Sequence, residues 1–532
     1  MRIVKNRYTL PAAILLANIL VFVLIASFGR MLYDDNDDVM MCLIANGAYS
    51  GTPDPHLVFQ NALWGYFLTL LYSIIPKTEW YAVCLTILHI VSMTIIIYEV
   101  LTRGGRRIGA QKLVFVMLLY LLWTSTLISL QFTTTAAIAT VAGCLFMLRD
   151  GKLLPTAGGM LILVASFVRF ESAAMTGLLL GPYIMYRHGW TYWKYIKYAL
   201  LLVAVFAGRA ADSSYYRSNQ WKYYMDYNKE RAAINDSPNA MRVSGEALAR
   251  NHIDSIDYEA LRSFFPDPGV VTLPVISDLA NEASSTPLRI KAANLMQLRQ
   301  YRASILLLLL LTILLTAGAE KRSRRIMICA TFVLAMGLTA FVSLERHIKP
   351  RVFWSAFTAA TCVFACQPVK EDKRITIPLL IVLFAMCAKS AKTDVQRYMW
   401  NARAIRIYHE EQLPLLRHLP DGATVACWSL VHIEALPPFG IKEHLPVNIY
   451  PSSWLSNIPL REGYGDSNTS LLKEDVFIFT NTDDLEVKSI RHGLKRHYGI
   501  ETLSAVLYRN KSYAIVKLEP LYKTNKRTLI IN

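Results

Sequence analysis

Between Asp34 and Asn61 the chain reads DDNDDVMMCLIANGAYSGTPDPHLVFQN, which gathers Asp34, Asp35, Asp37, Asp38, Asp54 and His56 into one short stretch. Carboxylates packed this closely beside a bilayer are costly to keep unless they pair, coordinate or react. A carboxylate within hydrogen-bond reach of a hydroxyl can take its proton as a general base. The same hard oxygens suit Mg²⁺, Mn²⁺ or Ca²⁺. The bland alternative is a solvated acidic loop. A second set is Glu345-Arg-His-Ile-Lys-Pro-Arg351. Arg346, Lys349 and Arg351 on a constrained X-Pro turn can bind phosphate oxygens, or simply snorkel to lipid headgroups. Arg169 and Glu171, in SFVRFESA, form either a local salt bridge or a pair that orients a polar substrate.

The elements that must position these groups follow from composition. Of 532 residues 54% are hydrophobic and only 18% charged, with a mean hydropathy of +0.31. A soluble chain carries nearer a quarter charged residues, so the long apolar runs read as a polytopic membrane protein. The net charge of +17 then reflects basic loops held in the cytoplasm, not a nucleic-acid partner. Leu10 to Phe28 is too long for a signal-peptide core and reads as a signal anchor. Of the eight cysteines, only Cys42 and Cys427 fall outside on this layout, a weak disulfide signal. Cys362 and Cys366 share a helix face but lack partners for a zinc set.

Arg2, Lys5 and Arg7 keep the amino terminus inside, which puts the acidic stretch outside. Ala62 to Ile75 is short for a span and reads as an interfacial helix. Had it crossed, Arg103, Arg106, Arg107 and Lys112 would lie outside. Alternating inward and outward loops give about eleven transmembrane helices over residues 1–390, with residues 30–80 as the first outer loop. Residues 211–302 are an outer insertion. Residues 391–532 form an outer soluble domain, α/β or α+β, with strand-like runs at Ala423–Trp428, Asp475–Phe479 and Ser512–Leu518 and a helix near Val487–Tyr498. Asn235, Asn468 and Asn510 head outer Asn-x-Ser/Thr triplets.

Asp37-Asp38 followed by VMMCLIANG, the interfacial stretch HLVFQNALWGYFLTLLY and the basic Glu345–Arg351 loop resemble the GT-C superfamily of polytopic glycosyltransferases. The resemblance covers the layout of roughly residues 1–390. It implies an inverting enzyme that moves a sugar from a polyprenyl-phosphate donor to a cell-surface glycan, lipid or protein acceptor at the outer face of a bacterial cell membrane. On it, Asp37 or Asp38 is the general base, and the doubled motif Asp34-Asp35 leaves open which carboxylate acts. Asp54, His56 and Asn61 orient the acceptor, Arg169 and Glu171 join the substrate site, and Arg346, Lys349 and Arg351 hold the lipid phosphate. If a divalent cation takes part, Asp37, Asp38 and His56 are its candidate ligands. The alternatives are a transporter or flippase of lipid-linked glycans, a polymerase or ligase of them, and a membrane scaffold.

Overall fold

The computed structural model describes residues 9–103, 109–238, 243–367, 372–427, 433–439, 448–451, 453–455, 457–460, 467–481 and 485–521. In chain order, α1 (Thr9–Phe28) leads through the two-residue strand β1 (Leu32–Tyr33) to α2 (Asn36–Ala45), α3 (Ala62–Ile74), α4 (Trp80–Thr102) and α5 (Ala110–Ile128). Strand β2 (Ser129–Leu130) precedes α6 (Phe132–Met147), α7 (Leu153–Val168), α8 (Phe170–His188) and α9 (Ile196–Tyr215). The insertion supplies α10 (Asn219–Asn235), α11 (Gly245–Arg250), α12 (Ser255–Arg262), α13 (Leu273–Ser284) and α14 (Leu288–Lys291). Then come α15 (Arg302–Ala317), α16 (Arg322–Glu345), α17 (Pro350–Ala365), α18 (Lys373–Ile407) and α19 (Leu413–Leu416). The chain ends in β3 (Thr424–Cys427), β4 (Asn448–Pro451), β5 (Val476–Asn481), α20 (Leu485–Tyr498), β6 (Thr502–Arg509) and β7 (Tyr513–Pro520).

Two compact units result: Met1–Tyr215 with Ala293–Arg403 and Leu436–Ile441, and Tyr216–Ala292 with Ala404–Ala435 and Lys442–Asn532. The first holds a helix for each of the expected spans (α1, α4 to α9 and α15 to α18). Among the described residues, six helices are long and apolar enough to cross a membrane by length and composition. Leu16, Leu200, Val333 and Phe341 are exposed on α1, α9 and α16, a surface that suits lipid and not water. The 13-residue α3 is about 20 Å long, shorter than the hydrocarbon core of a bilayer.

Packing in the first unit is closest between α6 and α7. A Cβ on Gly143 would meet the Gly158 carbonyl oxygen at 2.6 Å, and one on Gly158 would meet the Gly143 carbonyl oxygen at 2.5 Å. Two backbones touch there because neither carries a side chain. The spans are not free of charge. Glu99 is fully buried and pairs with Arg103 and, at 2.6 Å, with Arg149. Arg103 also donates to the Tyr183 hydroxyl and the Leu145 carbonyl, both at 2.9 Å. A buried charge of this kind persists only when its partners surround it.

One boundary moves. The structure breaks after Arg403, not after residue 390, because nothing in 390–407 interrupts α18, and the insertion and tail share the second unit. The tail sheet has the order β4-β3-β5-β7-β6; β3 runs parallel to β4 and β5, and β7 antiparallel to β5 and β6. Val487, Ile490 and Leu494 of α20 cover Val476, Ile478 and Val516, and Ala260 and Phe265 of the insertion enter the same core. Asp254 pairs with His492 at 2.7 Å and Asp257 with His497 at 2.9 Å, fixing α12 against α20. The side chains of Asn235 and Asn510 bind backbone carbonyls. None of the eight cysteines is in a disulfide, Cys42 and Cys427 included.

Gly158→Ala should lower the melting temperature of the purified protein by several degrees, since overpacking costs about 1–3 kcal/mol. Gly159→Ala should leave it unchanged, because a Cβ at Gly159 meets nothing within 4 Å. Equal melting of the two variants, followed by intrinsic fluorescence, would contradict the direct helix contact.

Candidate active site

Two strand fragments assemble the site. Leu32 and Tyr33 pair in parallel with Ser129 and Leu130, and the Asp34 amide donates to the Leu130 carbonyl at 3.0 Å. The turn after α1 is thereby tied to the break between α5 and α6. Asp35 then takes the N-cap position of α2 (φ −148°, ψ 157°) without a side-chain cap bond, and Asp37 and Asp38 occupy the first turn. A helix N-terminus favours carboxylates there.

The four aspartates have different fates. Asp38 is fully buried. Its Oδ1 accepts from the Tyr81 hydroxyl at 2.9 Å and the Phe132 amide at 3.1 Å. Its Oδ2 is buried with no partner among the described residues. Burial pushes this carboxyl well above the usual range, against the opposing pull of Tyr81, Arg351 and Phe132. Tyr81 is held in turn: its amide donates to the Tyr72 hydroxyl at 3.1 Å, which donates to Glu79 at 3.3 Å. Asp38 therefore locks α2 onto α4 and α6. Asp35 and Asp37 instead face Arg351 in the first turn of α17, at 2.5 and 3.3 Å. Asp34 faces Arg397 of α18 at 2.8 Å.

Arg397 was not legible as a site residue, because it lies past the expected end of the membrane module. The signal was present: Ser390, Thr393, Asp394, Arg397 and Asn401 recur at helical spacing along one face of α18. Asn401 donates to the Arg30 and Ile128 carbonyls at 2.9 and 3.0 Å, and Asp394 accepts from Ser125. These contacts border a cleft lined by Asp34, Arg351, Arg397 and the hydroxyls of Ser125, Thr126, Ser129, Thr134, Thr358, Ser390 and Thr393. Four of its walls, Thr126, Thr134, Trp354 and Thr358, also bound a second, smaller cavity lined by Ile96, Ala137, Ile138, Val141, Ser355 and Ala359. The charged cleft and the smaller apolar cavity thus share a wall.

The remaining candidates lie elsewhere. Arg169, between α7 and α8, pairs with Glu171 at 3.0 Å, donates to the Phe59 carbonyl at 3.0 Å and lies over the Phe59 and Phe132 rings. It senses the charges of Asp37 and Arg351, so it borders the acidic turn. Arg346 and Lys349 are exposed at the end of α16 and the start of α17, and Arg351 of the basic loop carries two ion pairs to the acidic turn. Asp54 accepts from the His56 amide and ring at 2.8 and 2.7 Å, and the His56 ring stacks on Tyr215. Asn61 caps α3 by accepting from Leu63 and donates to the Gly208 carbonyl, so its side chain is already engaged. The cation set of Asp37, Asp38 and His56 is not assembled. Among the described residues no three His, Cys, Asp or Glu side chains stand close enough to hold a metal ion, because Asp38 turns inward to Tyr81 and His56 is held by Asp54.

No protein-family model matches the chain, and no curated protein does. Solved structures that align along its length include ArnT from Cupriavidus metallidurans bound to undecaprenyl phosphate (12% identity) and the same protein in the apo state (13%). Each covers 95% of this chain and 97% of the other, with a TM-score of 0.43. A likeness of that size assigns neither family nor chemistry, which rest on the cleft itself.

Asp38→Asn should keep both hydrogen bonds, since an amide oxygen accepts them equally. A carboxyl raised by folding adds stability below its unfolded pKa of about 4 and loses it as pH rises. At pH 7 the Asn variant should therefore melt at or above wild type, the difference shrinking toward pH 4. A fall of more than a few degrees at pH 7 would mean that the buried charge itself holds the loop.

Proposed function

We propose that this chain is a membrane glycosyltransferase of the GT-C kind, moving a sugar from a polyprenyl-phosphate donor to a hydroxyl of a glycan, lipid or protein acceptor. One observation carries the reading: two guanidinium groups, a hydroxyl-lined cleft and an acidic turn converge in the first unit beside an apolar cavity. Charge along the sequence places this end of the helices at the outer face, with the amino terminus inside and the tail domain outside.

In the reaction, Asp37 takes the proton of the acceptor hydroxyl. The hydroxyl oxygen forms the new bond to the anomeric carbon as the carbon–phosphate-oxygen bond breaks on the opposite side, which inverts the sugar. The bonding pair leaves with the polyprenyl phosphate, whose charge Arg351 and Arg397 stabilise. The apolar cavity takes the first isoprene units, and Arg169 orients the acceptor side of the turn. Asp37, not Asp38, is the base because Asp38 is sealed in the core while Asp37 keeps part of its surface open. A transporter would use charge inside the spans, and the fully buried Glu99 is closed on Arg103 and Arg149.

Removing a general base costs about 10²–10⁴-fold in rate. Asp37→Asn, reconstituted in vesicles with a labelled polyprenyl-phosphate sugar pool and cell-envelope acceptors, should lose transfer by that factor while still binding polyprenyl phosphate. Transfer at the wild-type rate would exclude Asp37 as the base.

A further inference from the structure

Resting on that reading of the cleft, we infer that the acidic turn is an internal counter-ion: Asp35 and Asp34 hold Arg351 and Arg397 when no donor is bound, the donor phosphate displaces them, and the displacement frees Asp37. The contacts are specific. Arg351 is shared between Asp35 at 2.5 Å and Asp37 at 3.3 Å, and Arg397 is taken by Asp34 at 2.8 Å. Both guanidinium groups that line the cleft thus face carboxylates from one four-residue run, Asp34-Asp35-Asn36-Asp37. Phosphate oxygens accept from a guanidinium fork in the same bidentate way as carboxylates, so donor and turn compete for the same N–H groups.

The turn has a second place to go. Asp35 occupies the N-cap position of α2 in the extended backbone conformation that capping uses, yet its side chain makes no cap bond. An aspartate at that position ordinarily accepts from the amides of the second or third helical residue. Releasing Arg351 therefore exchanges an ion pair for a cap bond at the positive end of α2, so neither arrangement strands a buried charge. Asp37 then loses its guanidinium partner to the phosphate and can serve the acceptor. The order of events follows: donor first, base second. After transfer the same competition acts in reverse, and Asp35 returning to Arg351 helps expel the polyprenyl phosphate. Asp35 and Asp34 are on this account positioning residues that act through Arg351 and Arg397.

The test measures binding of a polyprenyl monophosphate, with the dephosphorylated polyprenol and inorganic phosphate as controls, and transfer kinetics at constant ionic strength. Asp35→Asn should bind the monophosphate about ten-fold more tightly than wild type, and lower both the donor KM and kcat, because product leaves more slowly. Asp34→Asn should repeat the tightening through Arg397, and Asp35→Glu should restore wild-type behaviour. Binding of polyprenol should not change in any of them. Arg351→Ala and Arg397→Ala should each lose ten-fold or more in monophosphate affinity. If the arginine variants bind the monophosphate as wild type does, the cleft is not the anion site and the proposed function falls with the counter-ion. If the arginine variants lose affinity but neither Asp35→Asn nor Asp34→Asn gains any, the counter-ion alone is overturned. Equal melting of wild type and Asp34→Asn keeps that second outcome decisive even if Asp35→Asn folds poorly.

Discussion

The fork of Arg351 between Asp35 and Asp37 joins residues more than three hundred positions apart in the chain. The geometry of the first unit at this end depends on it. An arginine at the first turn of α17 repels that helix's own positive end and must find carboxylates. Three aspartates at the start of α2 must in turn find cations or repel one another. Each cluster is a liability alone, and together they fix where α1, α2, α17 and α18 meet. The parallel pairing of Leu32–Tyr33 with Ser129–Leu130 completes the frame by bringing in the α5–α6 break.

Several buried polar groups in the helices of the first unit bind one another across helices. Glu99 meets two arginines at once, and Arg103 spends its other donors on Tyr183 and Leu145. Asn18 donates to Thr94 and accepts from Tyr120, which pins α1 to α4 and α5. In hydrocarbon an unmet polar group costs several kcal/mol. These contacts therefore specify which helices are neighbours, where apolar packing between similar surfaces would not. The Gly143–Gly158 contact does the same by shape.

Division of labour within one short run of aspartates is the functional consequence of that frame. Asp38 turns into the core, where Tyr81 and Phe132 hold it. Asp34, Asp35 and Asp37 turn toward the arginines. The alternation is set by α2, which begins at Asn36 and rotates successive side chains by about 100°. One carboxylate becomes structure and its neighbours face the arginines of the cleft.

Much of this was legible from composition and charge. Hydropathy places a helix at each expected span, because apolar run length acts locally on the chain. The tail strands β3, β5 and β7 and helix α20 are readable for the same reason, whereas β4 and β6 lack a clear alternating pattern. Asp37, Asp38 and Arg351 stand out by type and spacing alone. The tertiary structure alone decides which aspartate is buried, that Arg397 joins the cleft, that Arg346 and Lys349 stay outside it, and that His56 serves Asp54 and Tyr215. Those outcomes depend on pairings between residues far apart in the chain. A carboxylate's role is set by the charge that faces it across the fold, and residue spacing does not encode that neighbour.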